Sequence, residues 1–515
     1  MTMASRRVVP VIYVLAFLAA SSLANAIGAD ANSPEARTAT YFDSLRDKPN
    51  QLFVFLSAMP KGGDLHNHLV GAIYAESFIQ WASEGGLCVD PKTFFLSPPP
   101  CGGEKGTLPA SKALSDPTLY REMIDAYSMR NWQHSGKSGH DHFFDTFDKF
   151  LPASFGNTGK MLAETASRAA SQREIYQELM HAAAFADILS LAERTGWDDD
   201  LARQREKLLA NGMAQVVAAA RKEMDEGEAT RDTLLKCSSA QPDPGCAVTQ
   251  RYQYMVLRAR PKESVFAQMV LGFELATVDP RFVALNLVQP EDWYVPLHDF
   301  SLHMQMLQYL HGVYPNVHID LHAGEMVMGL VPPEELRFHV RDSIAIGHAQ
   351  RIGHGADVMY EKQPFQLLQE MADRNVMVEI CLTSNDVILG VTDTHPLSNY
   401  IRAGVPVALA TDDEGVARSD MTHEYIKGAT EQKLSYLQLK KMARTSLEYA
   451  FVPGTSLWSD GKNFVMVKEC SGGGGSPACQ KLLASSEKAR LQWKLEMQFR
   501  EFEAQGWTAE ITSPQ

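Results

Sequence analysis

Four short clusters hold most of the residues that could do chemistry in this sequence. Gly62-Gly63-Asp64-Leu65-His66-Asn67-His68 contains an H-x-H pair. In a strand, residues i and i+2 share a face, so both imidazoles can ligate one metal; two solvated histidines at a strand end would look the same. Val317-His318-Ile319-Asp320-Leu321-His322-Ala323-Gly324-Glu325 alternates His318, Asp320 and His322 onto one face, with His322 nearest the strand end and Glu325 in the loop beyond. Arg351-Ile352-Gly353-His354-Gly355 sets a histidine between two glycines, either where a ligand can come close or in a tight turn. Ala408-Leu409-Ala410-Thr411-Asp412-Asp413-Glu414 ends an apolar strand in three acids. Three imidazoles and a carboxylate at four strand ends suit Zn²⁺, one per chain, with one position left for water. Such an ion lowers the pKa of its water from 15.7 toward about 7. Glu325 and His354 then remain as proton-handling groups beside it.

These clusters need a scaffold that gathers four strand ends. Eight short apolar runs read as strands: Asp64–His68, Ile175–Met180, Tyr254–Leu257, Val283–Val288, Val317–His322, Arg351–His354, Val376–Cys381 and Val405–Ala410. Amphipathic stretches of helical length lie between them, among them Leu201–Met224, Lys262–Thr277, Leu297–Tyr309 and Pro364–Arg374. This alternation is the pattern of a parallel sheet with crossover helices. Eight strands are what a closed α/β fold, the (β/α)8 TIM-type barrel, requires, and its active site lies at the C-terminal strand ends, where the clusters fall. No repeat at solenoid spacing is evident. The first two strands lie farther apart than one crossover helix needs, so Gly85–Gly139 reads as an insertion. The expected organisation is a cleaved leader over 1–26, a helical arm over 27–57 and a barrel over 58–455 with 85–139 inserted. A helical extension over 456–515 follows, its Gly472–Gly475 loop closed by cysteines.

The 515 residues are 45% hydrophobic and 21% charged, which excludes a mainly disordered or fibrous chain. A formal net charge of −14 without a Lys/Arg-rich run leaves nothing to neutralise phosphates, so no nucleic acid is expected and a small molecule is. Arg6-Arg7, the apolar run Val8–Ala20 and Ala24-Asn25-Ala26 form a signal-peptide pattern. The run is shorter than the roughly 18 residues needed to span a bilayer. Cleavage would leave no stable membrane anchor and an exported protein, periplasmic or secreted, by the general or the twin-arginine route. Cys88 and Cys101, Cys237 and Cys246, and Cys470 and Cys479 are near neighbours in turn-rich sequence and are expected to bridge in an oxidising compartment. Cys381, inside the apolar run Val376–Leu382, reads as a buried free thiol.

Together the four clusters resemble the adenosine deaminase family of metal-dependent hydrolases. Met59-Pro60-Lys61-Gly62-Gly63-Asp64-Leu65-His66-Asn67-His68 is similar to the opening motif of its secreted branch, the adenosine deaminase-related growth factors and their bacterial relatives. The resemblance runs over Ala58–Ala450. It implies a (β/α)8 barrel and hydrolytic deamination of adenosine, and of 2′-deoxyadenosine, to the inosine product and ammonia by a metal-bound hydroxide. It implies His66, His68, His322 and Asp412 as zinc ligands, and Glu325 as the acid that protonates purine N1. His354 would orient the hydroxide and stabilise the tetrahedral intermediate, and Asp413 would meet purine N7. The implied ligand is a purine nucleoside; a homodimer is left open. Two positions depart from the family pattern. Val70 stands where some members have an acid serving the ribose 5′-hydroxyl. Gln289 replaces a frequent glycine whose N–H meets purine N3, and is the implied substrate-binding position there.

Two other readings stay open: a deaminase of another aminopurine or modified nucleoside, and a secreted binding or signalling protein on an inert barrel. The presence of all six ligand and proton-handling residues argues against the second. A cytidine-deaminase-type site is excluded, because it uses H-x-E with P-C-x-x-C and this sequence has neither in that arrangement. Gly139-His140-Asp141-His142 is a second H-x-H. With no further ligand cluster beside it, it is expected to start a helix that lines or caps the site.

Overall fold

The apolar runs pair in chain order. The computed structural model describes residues 32–103 and 106–507, so the expected leader lies outside the described residues. Eight parallel strands, β1 (Gly62–His68), β2 (Glu174–His181), β3 (Thr249–Leu257), β4 (Phe282–Val288), β5 (His318–Ala323), β6 (Arg351–His354), β7 (Met377–Ile380) and β8 (Val407–Leu409), hydrogen-bond in that order. Asp412 and Asn67 bridge the last strand to the first: Asp412 N–H donates to the His66 carbonyl at 2.8 Å and His68 N–H to the Asp412 carbonyl at 3.3 Å. The sheet therefore closes into a (β/α)8 barrel. Every residue of β2 and β4 is buried, as expected where helices cover the outside and side chains fill the inside.

That interior is polar. His318, Asp320 and His322 do share one face of β5, and each belongs to a different layer. His318 lies at the barrel floor, stacked on Phe451 with ring centroids 4.3 Å apart. Asp320 lies in the middle, and His322 reaches the mouth. In the middle layer the Arg351 guanidinium pairs with Glu178 at 2.6 Å, Asp320 at 3.1 Å and Glu379 at 2.8 Å. Gln253 donates to Asp320 at 3.0 Å. Buried charges are retained when they are paired, and Arg351 supplies the opposite charge for all three acids, while Asp320 Oδ1 and Glu379 Oε1 lack a hydrogen-bond partner among the described residues.

The helices follow their sequence signals, with instructive exceptions. Pro364–Arg374 forms as expected, started by proline and stopped by Asn375 in the left-handed region. Leu201–Met224 is not one regular helix. It runs Leu201–Leu208, passes through a π turn over Leu209–Met213 where Gly212 takes φ 121°, and resumes over Ala214–Leu234. A residue at that φ breaks the helical hydrogen-bond ladder, and glycine tolerates it. Leu297–Tyr309 likewise splits, into Tyr294–His298 and α2 (Phe300–Val313).

Between β1 and β2 lies a three-stranded antiparallel sheet of two-residue strands, tied by the Cys88–Cys101 disulfide. The helix α1 (Gly139–Phe150) follows it. Three further helices border the mouth: α2, α3 (His339–Ala345) and α4 (Leu382–Leu389). A Cβ on Gly139 would lie 1.8 Å from the Val387 carbonyl oxygen of α4, so only glycine lets α1 start there. Cys237–Cys246 and Cys470–Cys479 are also bridged, and Cys381 is buried and free. Three disulfides fit an oxidising compartment. Among the described residues no helix is long and apolar enough to cross a membrane.

Candidate active site

The four expected ligands meet at the barrel mouth. One donor atom each from His66, His68, His322 and Asp412 lies within 4.8 Å of the others. The separations are narrower than that limit. His322 Nε2 is 3.1 Å from His66 Nε2 and 3.1 Å from His68 Nε2; Asp412 Oδ1 is 3.6 Å and 3.2 Å from the same two nitrogens. A tetrahedral ion with bonds of about 2.0–2.1 Å needs donors about 3.3 Å apart, so the set fits zinc in size as well as type. The lone pairs are aimed accordingly. His66 Nδ1 donates to Glu379 at 2.7 Å, and His322 Nδ1 donates to Asn286 Oδ1 at 2.8 Å. Each ring thus turns a bare Nε2 inward, and two such lone pairs 3.1 Å apart favour a shared cation.

Glu325, His354 and Asp413 surround this set, all buried. Burial, then the charge of Asp412, pushes the Glu325 carboxyl up to about 8, so it carries a proton at neutral pH. Burial drives the His354 imidazole down to about 3, so that ring is neutral. Asp413 is held well above the usual carboxylate range by burial and by Asp412 beside it. Glu325 is fixed through its own backbone: its N–H donates to Glu291 Oε2 at 2.9 Å, while Glu291 Oε1 accepts from His339 Nδ1 at 2.6 Å.

Gln289 ends β4 with φ 83°, a conformation that favours glycine. Its side-chain oxygen accepts from Ala259 N–H at 2.9 Å, which turns the side chain to the loop after β3. The glycines flanking His354 have a different use from the one expected. A Cβ on Gly353 would sit 2.4 Å from His66 Cε1, and one on Gly355 would sit 2.4 Å from the Tyr400 hydroxyl. The close approach is made by the protein's own rings. His140 and His142 are not among the candidate metal groups of the described residues. His140 pairs with Asp292 at 2.9 Å and ties α1 to the loop after β4; His142 bonds the Ser128 carbonyl at 3.1 Å.

An adenosine deaminase family model matches residues 215–457. That stretch carries His322, Glu325, His354, Asp412 and Asp413, each at the strand end described above. The adenosine deaminase of Pectobacterium atrosepticum is 32% identical over 176 residues, 33% of this chain and 47% of its own length. Residues 215–457 are thus similar to the adenosine deaminase family. The Escherichia coli adenosine deaminase is 34% identical over 137 residues, 26% of this chain and 38% of its own. The match thus spans less than half the length of these curated relatives. Among solved structures, the N6-methyl-AMP deaminase of Arabidopsis thaliana superposes with a TM-score of 0.51 at 19% identity, covering 78% of this chain and 94% of that one. An amidohydrolase from Burkholderia ambifaria with bound Zn gives 0.52 at 15% identity, covering 88% and 95%. At that identity they show the shared barrel fold.

Several residues of the site were not singled out from the sequence. Glu379 and Asn286 orient the imidazoles of His66 and His322, Ser384 donates to Asp412 Oδ2 at 2.5 Å, and Asn385 bonds His354 at 3.0 Å. Glu379 had a usable signal: it is a lone acid inside an apolar strand, where a charge must have a partner. Ser384, Asn385 and His395 had none, because nothing in their spacing shows which strand end they face.

Proposed function

We propose that this chain is an exported zinc hydrolase that deaminates adenosine, and 2′-deoxyadenosine, to the inosine product and ammonia. The observation that carries the reading is a protonated carboxyl and a neutral imidazole, Glu325 and His354, buried beside a four-donor set of zinc dimensions. His66, His68, His322 and Asp412 would hold the ion. When bound, zinc acidifies a water molecule to near neutrality and so supplies the nucleophile.

The chain's own residues do the rest. Glu325 enters protonated and delivers its proton to purine N1, which draws negative charge out of the ring as C6 is attacked. His354, neutral and rigidly held, hydrogen-bonds the attacking oxygen and opposes the charge that builds on it. Asp413, whose carboxyl burial and the neighbouring Asp412 hold well above the usual range, can hydrogen-bond purine N7 when it carries its proton. Gln289 offers its backbone N–H toward N3, a role its glycine-like φ supports. With Val70 in place of a carboxylate, the 5′ position is held less tightly than in members that have one.

The three disulfides support the export part of the proposal. The test is ammonia release from adenosine, 2′-deoxyadenosine, adenine, AMP and N6-methyl-AMP, before and after chelation and with zinc restored. N6-methyl-AMP would release methylamine in place of ammonia, so inosine monophosphate is followed for that substrate. Adenosine should be the best substrate, and activity should return with zinc. A zinc-loaded protein inert toward the whole panel would end the proposal. Preference for a nucleotide or the free base would move it to the second reading, a deaminase of another aminopurine.

A further inference from the structure

His354 could meet the reaction in either of two ways, since a neutral imidazole carries its single proton on Nδ1 or on Nε2. The surrounding hydrogen bonds decide between them, starting from a group with no choice. Leu397 N–H can only donate, and its partner is His395 Nδ1 at 3.1 Å. His395 Nδ1 must therefore be bare. His395 is buried, and burial pushes its imidazole down to about 4, so the ring is neutral and its proton is on Nε2. That Nε2–H lies 3.1 Å from Asn385 Oδ1 and donates to it. The amide of Asn385 is then fixed with its Nδ2 toward His354 Nδ1, 3.0 Å away. Flipping the amide would set its N–H against the His395 proton, so Leu397 excludes the flip. His354 Nδ1 must accept, and the proton is on Nε2.

The alternative partner of His354 Nδ1 does not compete. The nearest Glu325 oxygen is 3.8 Å away, beyond hydrogen-bond range. His354 Nε2 is buried without a partner among the described residues. Its ring packs against those of His66 and His322, with centroids 4.8 Å and 5.1 Å apart. The free N–H thus belongs to the site and not to the scaffold. We propose that His395, acting through Asn385, is a positioning residue that fixes His354 as the Nε2–H tautomer, so that His354 acts as a hydrogen-bond donor and not as a base. The catalytic consequence rests on the deaminase reading; the tautomer itself does not.

The direct measurement is the ¹⁵N spectrum of the zinc-loaded, [¹⁵N]histidine-labelled protein. His354 should show a protonated Nε2 and a bare Nδ1; a protonated Nδ1 overturns the proposal whatever the protein catalyses. The kinetic arm uses two isosteres. Asn385→Asp offers only acceptors, so it should move the His354 proton to Nδ1. A wrong tautomer in a catalytic histidine costs up to about 10⁴ in rate, so kcat should fall by about 10²–10⁴ with KM within about threefold and zinc content unchanged. His395→Gln keeps a donor near the Nε2 position and should stay within about tenfold of the wild type. His395→Ala removes it and should fall well below the Gln variant. Unchanged kcat in Asn385→Asp, or equal loss in the two His395 variants, would reduce the relay to packing. Wild-type protein that deaminates nothing would sink the functional reading and leave the spectrum to decide the tautomer.

Discussion

Replacing Gly353 with alanine should remove the metal while leaving the barrel folded. The position has no unusual backbone requirement, since its φ lies outside the left-handed region, so the effect is steric. The added Cβ would lie 2.4 Å from His66 Cε1 and 2.7 Å from His66 Nδ1, where carbon atoms settle at about 3.5–4.0 Å. The ring must move by roughly 1 Å, and metal bonds tolerate only about 0.2 Å. His66 cannot yield easily, because Glu379 holds its Nδ1 at 2.7 Å. Gly71 provides the control. A Cβ there would meet Asp413 Oδ1 at 1.5 Å, and its three nearest atoms all belong to Asp413. Gly71→Ala should keep one zinc per chain and lose substrate use. Zinc is measured by mass spectrometry after dialysis against a weak chelator, and folding by circular dichroism. A folded Gly353→Ala protein with wild-type zinc affinity would refute the assignment of His66 as a ligand.

Glu325→Gln should fold, keep its zinc and lose about 10²–10⁴ in kcat, the usual cost of a missing general acid; full activity would remove Glu325 from the reaction. Glu379→Gln should weaken zinc binding by about 10–100-fold, as loss of a carboxylate behind a ligating imidazole does, read by competition with a chromogenic chelator. The His140–Asp292 pair should make stability fall in mild alkali. Asp292 raises His140 to about 9 against the burial that opposes it, so the contribution is complete below about 6.5 and lost as pH rises through 9. After screening at the solvent-facing mouth it amounts to about 1–2 kcal/mol. Asp292→Asn should flatten the fall in Tm between those values; identical profiles would leave the pair without weight. Unreduced peptide mapping should find all three cysteine pairs oxidised, and removing Cys237–Cys246 should cost about 2–3 kcal/mol.

The sequence exposes the site where its residues stand at strand ends and hides it where they stand behind them. His66, His68, His322, Glu325, His354, Asp412 and Asp413 each follow an apolar run, so period and position name them together. Their supports, Asn286, Ser384, Asn385 and His395, lie in stretches whose helical or strand pattern is unremarkable without the closed ring. Closure is itself a long-range event: the Asn67–Asp412 bridge joins residues from opposite ends of the barrel, and no local propensity encodes it. The same distance explains why Gly353 reads locally as room for a ligand. Its neighbour is His66, reached only once β1 and β6 face each other.

The excess of buried acid around the site argues for a cation more firmly than any single motif. Asp64, Glu178, Asp320, Glu325, Glu379, Asp412 and Asp413 are all buried in or near the barrel interior. The buried cationic side chains there are Arg258 and Arg351, with Lys61 just before β1. Some of this imbalance is removed by a proton, since burial pushes Glu325 up to about 8. Asp412 cannot be relieved in that way. Although burial opposes it, the imidazoles of His66 and His68 beside it hold its carboxyl well below the usual range, and it stays ionised. Taking one such charge out of water costs several kcal/mol unless a partner offsets it. Ser384 donates to Asp412 Oδ2 at 2.5 Å, but Asp412 Oδ1 faces the Nε2 atoms of His66 and His68, and the His66 Nδ1 proton is already committed to Glu379. A divalent ion at the four-donor set satisfies Asp412 and the inward lone pairs at once. It also leaves the protonated Glu325 free for the substrate.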